Sequence, residues 1–468
     1  MSLDRDLAAS IAATRFGLGA RPGELLVARD DPRAWLIAQI RPGLGADEPT
    51  LDEPTSAQRL IEFREYQKQR QAAKLAGQIF DPVKFAGQLI RKDAGADFLA
   101  RVKLGAATDA SFRERWALFW ANHFTVSATK AVTGTVVGPF EEEAIRPHVF
   151  GPFQDLLGAA ESHPAMLTYL DQIQSIGPDS QAASFQRRGR GQGFQQAALR
   201  TPGLNENLAR EIMELHTVGV NGGYTQGDVT EFARAMTGLS IGGERDGAYG
   251  VAVFREQAHE PGPRTIMGVR YDQRGKEQTN AILTDLAAKP QTAAFICTKI
   301  ARHFVADDPP PALVARLAES WRSSKGDLAS VADTLISAPE AWDPRPAKFK
   351  TPYEFIVSSY RAAGGQPQGF QQFGPILTAL GQKPYSAPSP KGWPEDAQSW
   401  AAPDAIVKRM QFAQAFSGQA VRDRDPKVLA ADALGERLTP ETAKAIARSE
   451  SRQEGFALLL MSPEFQRR

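Results

Sequence analysis

Apolar residues recur at helical spacing almost from end to end of this 468-residue chain, and that rhythm limits the fold more than any single motif. Leu7, Ala8 and Ile11 open a first amphipathic helix. Pro32 begins a second, with Trp35, Leu36 and Ile40 facing inward. Residues 55–76 read as a strongly polar helix, an exposed arm rich in Gln, Arg, Glu and Lys. Phe85, Leu89 and Ile90, then Phe98, Leu99 and Val102, mark a helical pair. Residues 109–126 form the most apolar helix of the first half. Further helices are expected over 276–288, 290–305, 310–323, 327–338 and 348–363.

Only residues 249–271 alternate at strand spacing, as two short runs around a Pro/Gly loop, which predicts a β-hairpin. The expected class is therefore mainly α: a multi-helix, bundle-like architecture with one small β-hairpin insertion. Its expected divisions are a helical region over 1–175, a Gly/Gln/Arg loop over 176–202 and central helices over 203–248. The hairpin over 249–271 and a second helical region over 272–468 complete it.

Composition removes several function classes. Lys plus Arg is 55 and Asp plus Glu is 54, a net charge of +1. Such balance leaves no global basic footprint for nucleic acid or an acidic membrane surface. Cys297 stands alone, which excludes an internal disulfide and a multi-cysteine metal site. It lies in an apolar helix and reads as a small core residue. No run of 18 apolar residues exists to span a bilayer. The N-terminus lacks a secretory pattern, so the chain as written reads as soluble and cytoplasmic, with export the alternative had a signal been removed. Residues 176–202, which include SFQRRGRGQGFQQ, read as a mobile, solvated surface insertion.

The richest stretch is residues 203–238, GLNENLAREIMELHTVGVNGGYTQGDVTEFARAMTG. At about 100° per residue from Asn207, Leu204, Leu208, Ile212 and Leu215 fall on one narrow apolar face. Asn207, Glu211 and Glu214 form a polar stripe beside that face, and His216 borders it on the other side. Asn221-Gly222-Gly223 is expected to stop the helix. Thr225 and Asp228 form a capping box for the next one.

This segment resembles the bacterial domain-of-unknown-function 1800 family. Further matching pieces are FWANHF (119–124), ESHPAMLTYLD (161–171), HEPGPRTIMG (259–268), KIARHFVADDPP (299–310) and KGWPED (391–396). The pattern departs at Leu239, where relatives usually carry Trp. The resemblance implies a predominantly helical protein, and many relatives appear exported. It also implies a partner from a sulfatase- or phosphatase-like family encoded nearby. It implies no particular reaction.

Glu211 and Glu214 offer oxygen ligands for a divalent metal, or a shared acid–base pair. The alternative is an ordinary surface on which Arg210 pairs with Glu206 and Glu214. His123 follows Trp116, Phe119 and Trp120 at helical spacing. It points inward either as a core histidine or as a ligand or general base. His163 precedes Pro164 at a helix start. Asp171 ends its helix at the unfavourable pole of the dipole and calls for a compensating cation. His259-Glu260 sits in the hairpin loop, where it would overhang a pocket.

The candidate catalytic set is thus Glu211, Glu214, His216 and His123. Asn205, Asn207, Arg210, Asp171, His163, His259 and Tyr224 are the candidate binding residues. Nucleophile elbow, Walker loop, zinc-protease and Rossmann motifs are absent. Two functions stand open. One is a hydrolytic enzyme, with or without a divalent metal, acting on an envelope-related or saccharide-type substrate. The other is a non-catalytic helical scaffold for a partner protein or envelope polymer. Limited trypsin digestion of the folded protein is expected to nick first in the loop at 180–200. First cleavage elsewhere, with this stretch intact, would contradict the reading of 176–202.

Overall fold

The computed structural model describes residues 4–40, 54–77, 82–189, 203–421 and 424–468. Helices form where the periodicity places them: Ser56–Leu75, Ser111–His123, Lys276–Ala288, Pro290–Phe304, Pro311–Ser323, Leu328–Ser337 and Pro352–Ala362. Their starts are chemically marked. Thr55 with Gln58, Thr225 with Asp228 and Thr351 with Glu354 make capping boxes. In each, the two side chains satisfy backbone donors that the first helical turn leaves open.

Several expectations change. The pair read around residues 85–102 is one continuous helix, Pro82–Ala107. Gly105 does not interrupt it but admits a neighbour: a Cβ there would lie 3.2 Å from Val357 and 3.3 Å from the Tyr353 hydroxyl. The polar helix at 56–75 is not a free arm. Arg59, Leu60 and Tyr66 are buried, and Arg59 pairs with Asp97 at 2.7 Å. Within the expected loop, residues Gln181–Gly189 are helical; the remainder, 190–202, lies outside the described residues.

The β insertion consists of two antiparallel pairs. Strand β1 (Leu239–Ile241) pairs with β2 (Ala252–Phe254), and β3 (Arg264–Ile266) pairs with β4 (Val269–Tyr271). The two alternating runs at 249–271 therefore do not pair with each other. Met267 and Gly268, both at positive φ, turn the second run back on itself.

One contiguous hydrophobic core runs from Ile11 to Phe465 and draws on both expected helical regions. Its aromatic centre holds Phe16, Phe112, Trp116, Trp120, Phe124, Phe153 and Phe304. Trp116 satisfies its indole N–H on the Val149 carbonyl at 2.7 Å. Cys297 is fully buried in this core, as its helix predicts. Among the described residues no helix is long and apolar enough to cross a membrane.

The core also carries charge. Glu354 accepts Arg115, and Arg468 at 3.0 Å, while its second oxygen takes the Thr351 N–H at 2.8 Å. Burial opposes ionisation of Glu354, but the two guanidiniums outweigh it and hold the carboxyl well below the usual range. Arg361 is fully buried too. It donates to the Gly19, Gly105 and Thr108 carbonyls and to both oxygens of Glu24. Removing one member of such a buried set strands its partners in low dielectric. Glu354→Gln is expected to destabilise the protein by about 3–5 kcal/mol. Arg345→Gln, which breaks an exposed pair with Asp343, should leave stability almost unchanged. Urea midpoints and slopes of the two variants check the contrast.

Candidate functional site

Among the described residues three helices widen into i→i+5 turns: at Ala12–Phe16, Glu141–Ile145 and Ile212–His216. Such turns are uncommon and occur frequently at functional sites. The third decides the position of His216. The helix begins as an α-helix at Asn207–Glu211 and then changes to the wider turn. Each residue of that turn advances by less than the about 100° of an α-helix. His216 therefore rotates off the border of the apolar face and into the core, where it is 1% exposed, while Leu215 is left only half-buried. The helix also ends earlier than Asn221-Gly222-Gly223. Gly219 closes it at φ 85°, with its N–H on the Met213 carbonyl.

Inside, His216 meets a carboxylate absent from the sequence-derived set. Glu161 Oε1 lies 2.7 Å from His216 Nδ1, and both side chains are 1% exposed. The approach is close but off the ring's donor direction. Neither Glu161 oxygen and neither His216 ring nitrogen has a hydrogen-bond partner among the described residues. A buried carboxylate and imidazole left in this state are costly unless a further group joins them. Glu161 also helps wall a cavity of about 420 Å³, with His148, Asp155, Ser162, Lys276 and Asn280. Leu239, where the family pattern departs, lies in the same wall.

His123 stands beside His216, with ring centroids 5.8 Å apart. Its protonation follows from its neighbours. The His216 carbonyl, 3.2 Å from Nε2, can only accept, so Nε2 carries the proton. Lys299 Nζ then donates to Nδ1 at 2.9 Å. Burial, Lys299 and His216 push the His123 pKa well below its ordinary value. His123 is thus a neutral imidazole with its lone pair already engaged. Lys299 itself drops to about 8, through burial and the nearby Lys391 and Arg302 cations, against the pull of Glu395.

The 391–396 segment closes over this group. Asn122 bonds Trp393 through both its carbonyl and its amide, and Gly392 sits so close that a Cβ would fall 2.4 Å from the Asn122 carbonyl. Glu395 accepts His303 Nδ1. Burial would raise Glu395, but His303, Lys348 and Lys299 hold its carboxyl at about 2.

Glu211 and Glu214 are half-buried. Burial raises the Glu211 pKa, and the Glu214 and Glu161 carboxylates add to it, against His216 and Arg210. Tyr169 faces Glu211, and burial with that charge pushes its hydroxyl to about 12. The Tyr224 hydroxyl reaches Glu214 at 3.5 Å. Among the described residues no three His, Cys, Asp or Glu side chains gather as a metal-binding set.

The remaining candidates make other contacts. Arg210 pairs with Glu206 at 3.3 Å and Gln226 at 2.8 Å, and Asn207 is exposed. Asn205 staples the chain to the Leu170 and Asp171 carbonyls. Asp171 sits at φ 58°, and its compensating cation is Lys130 at 2.7 Å. Lys130 also caps the Thr168 and Tyr169 carbonyls. His163 accepts the Ala165 N–H at its helix start and meets Glu143 at 2.9 Å. His259 bonds the Thr237 carbonyl at 2.9 Å, and Glu260 takes Arg234 and the Asp179 N–H. These contacts tie segments together and involve neither Glu161 nor His216.

The residues that do converge come from the 119–124, 161–171, 203–238, 299–310 and 391–396 stretches. A family model described as a protein of unknown function, DUF1800, matches residues 11–467. The chain belongs to this family. No curated protein and no solved structure matches it.

Lys299 generates a pH prediction. Its folded pKa, about 8, lies below the ordinary 10.5, so the folded state releases this proton first. Between those values the unfolded chain holds a proton that the folded chain has lost, and this group makes stability rise with pH. Lys299→Met should flatten that rise, as read from urea midpoints at about pH 7.5 and about pH 10.

Proposed function

We propose that this chain is a hydrolytic enzyme whose acid–base centre is Glu161 with His216, with Glu211 at its rim. The observation that carries the reading is the buried Glu161–His216 approach, unsatisfied on both sides. The direct contact leaves Glu161 Oε2 and His216 Nε2 with nothing to bond, and a water or substrate hydroxyl at those free atoms would satisfy them. Glu161 would orient and charge-balance the imidazole, and His216 would take the proton from the attacking water. Glu211, with its raised pKa, is suited to return a proton to the leaving group. Two carboxylates in unequal environments are a recurrent way to divide acid and base roles. His123, held neutral between Lys299 and the His216 carbonyl, is a positioning residue that fixes the His216 backbone.

A divalent metal would draw on Glu211 and Glu214 and is not needed for this assignment. The saccharide or envelope polymer expected from the sequence is the first substrate class to screen.

The test is a panel of glycoside, ester and phosphoester substrates, run with wild type, Glu161→Gln and Glu211→Gln. The two variants preserve shape and helix propensity. Turnover should fall by about 10²–10⁴-fold in Glu161→Gln, with circular dichroism unchanged. Equal turnover in wild type and both variants would remove the site. No turnover anywhere in the panel would favour the scaffold, to which the dispersed contacts of His163, Asp171 and His259 already conform.

A further inference from the structure

The interior around the first i→i+5 turn holds more positive charge than its carboxylates balance. Arg15, Lys350, Arg409 and Arg437 are buried, at 0%, 3%, 0% and 8% exposure. None of the four has a carboxylate within 4.0 Å among the described residues. Glu354 is committed to Arg115 and Arg468, and Asp343 to Arg345.

Three of the four have substitutes. Arg15 donates to the Ala341 and Arg345 carbonyls. Arg409 donates to Gln466 and the Lys350 carbonyl and lies over Phe349 and Phe355. Lys350 donates to Ser358 at 3.0 Å and rests 3.9 Å from the Phe465 ring centre. Arg437 is different. Its Nη1 donates to the Thr14 hydroxyl, while Nε and Nη2 are both buried and without a partner. Those two nitrogens form the side-on fork with which a guanidinium grips anions.

We propose that the Nε–Nη2 edge of Arg437 binds a small inorganic anion inside the protein, with Arg15 and Lys350 supplying the surrounding positive charge. Both cations are close enough to perturb Arg437 or be perturbed by it. Burial and Arg15 lower the Arg437 pKa to about 9. Burial first, then Arg115, Arg437 and Arg409, drive Lys350 well below its usual value despite Glu354. An anion would relieve the repulsion and the unmet donors together. The enclosure by buried side chains favours a halide over a tetrahedral oxyanion.

The experiment uses the full chain exchanged into gluconate buffer at constant ionic strength. Chloride, bromide, phosphate and sulfate are titrated while thermal unfolding is followed. A saturable rise of roughly 2–4 °C with halide is expected, and Arg437→Gln should abolish it. A rise with phosphate or sulfate alone would keep the anion site and overturn the halide assignment. No rise with any anion, or the same rise in Arg437→Gln, overturns the proposal. Should Arg437→Gln fail to fold, wild-type crystals grown in bromide decide. An anomalous peak against the Arg437 Nε–Nη2 edge supports the site, and a map without one there removes it.

Discussion

Glu354 is the buried carboxylate on which two interior guanidiniums and a helix start converge. It sits in the first turn of Pro352–Ala362, caps that turn through Thr351, and receives Arg115 and Arg468. Arg115 belongs to Ser111–His123, the helix that delivers His123. Arg115 also donates to the Gly17 carbonyl at 2.6 Å, which ties in the segment after the first i→i+5 turn. A buried ion set of this kind adds little net stability against an apolar alternative, but it is strict about geometry. The helices must meet in one arrangement or a bare charge is left in the core. That constraint sets the frame in which the motif segments converge.

Within the frame, the centre at Glu161 and His216 is built from elements that do not agree with one another locally. An apolar helix, Phe153–Ser162, carries Glu161 on the same face as Phe153, Leu156 and Leu157. The helix at 207–216 widens by one residue in its last turn and so brings His216 inward. Each choice has a local cost, and the two costs meet at the same 2.7 Å contact. Departures from local consistency that coincide in space are expected at functional sites. His123 contrasts with this pair, because both its ring nitrogens are engaged and its tautomer is set.

Much of the fold was legible from residue order. Helical spacing, proline at first turns and Thr/Asp caps are local signals, and the helices from 276 to 362 begin and end close to where they point. The site was legible in part. His123 stood out as an inward histidine, His216 as a residue on the border of the apolar face, and Glu211 as a boundary acid. Glu161 was missed, although its signal was present: it recurs at i+4 and i+8 with Leu157 and Phe153 on an apolar stripe. His163, Asp171 and His259 stood out for their chemistry, yet capping, a lysine and a backbone carbonyl account for their contacts.

The sequence by itself determined the class and most of the helices, because each helix depends on residues within a few turns of one another, and the family, through motifs spread along the chain. Tertiary structure decided three things. It split the strand segment into two separate pairs, since β1 lies ten residues upstream of the alternating runs and had no pattern of its own long enough to read. It rotated His216 into the core, since an i→i+5 turn leaves no mark in a wheel drawn at 100° per residue. It also chose which charges are buried unpaired. A sum of +1 over the whole chain says nothing of how Arg15, Arg437 and Glu161 are distributed in a low-dielectric interior, where distance and not composition sets the energy.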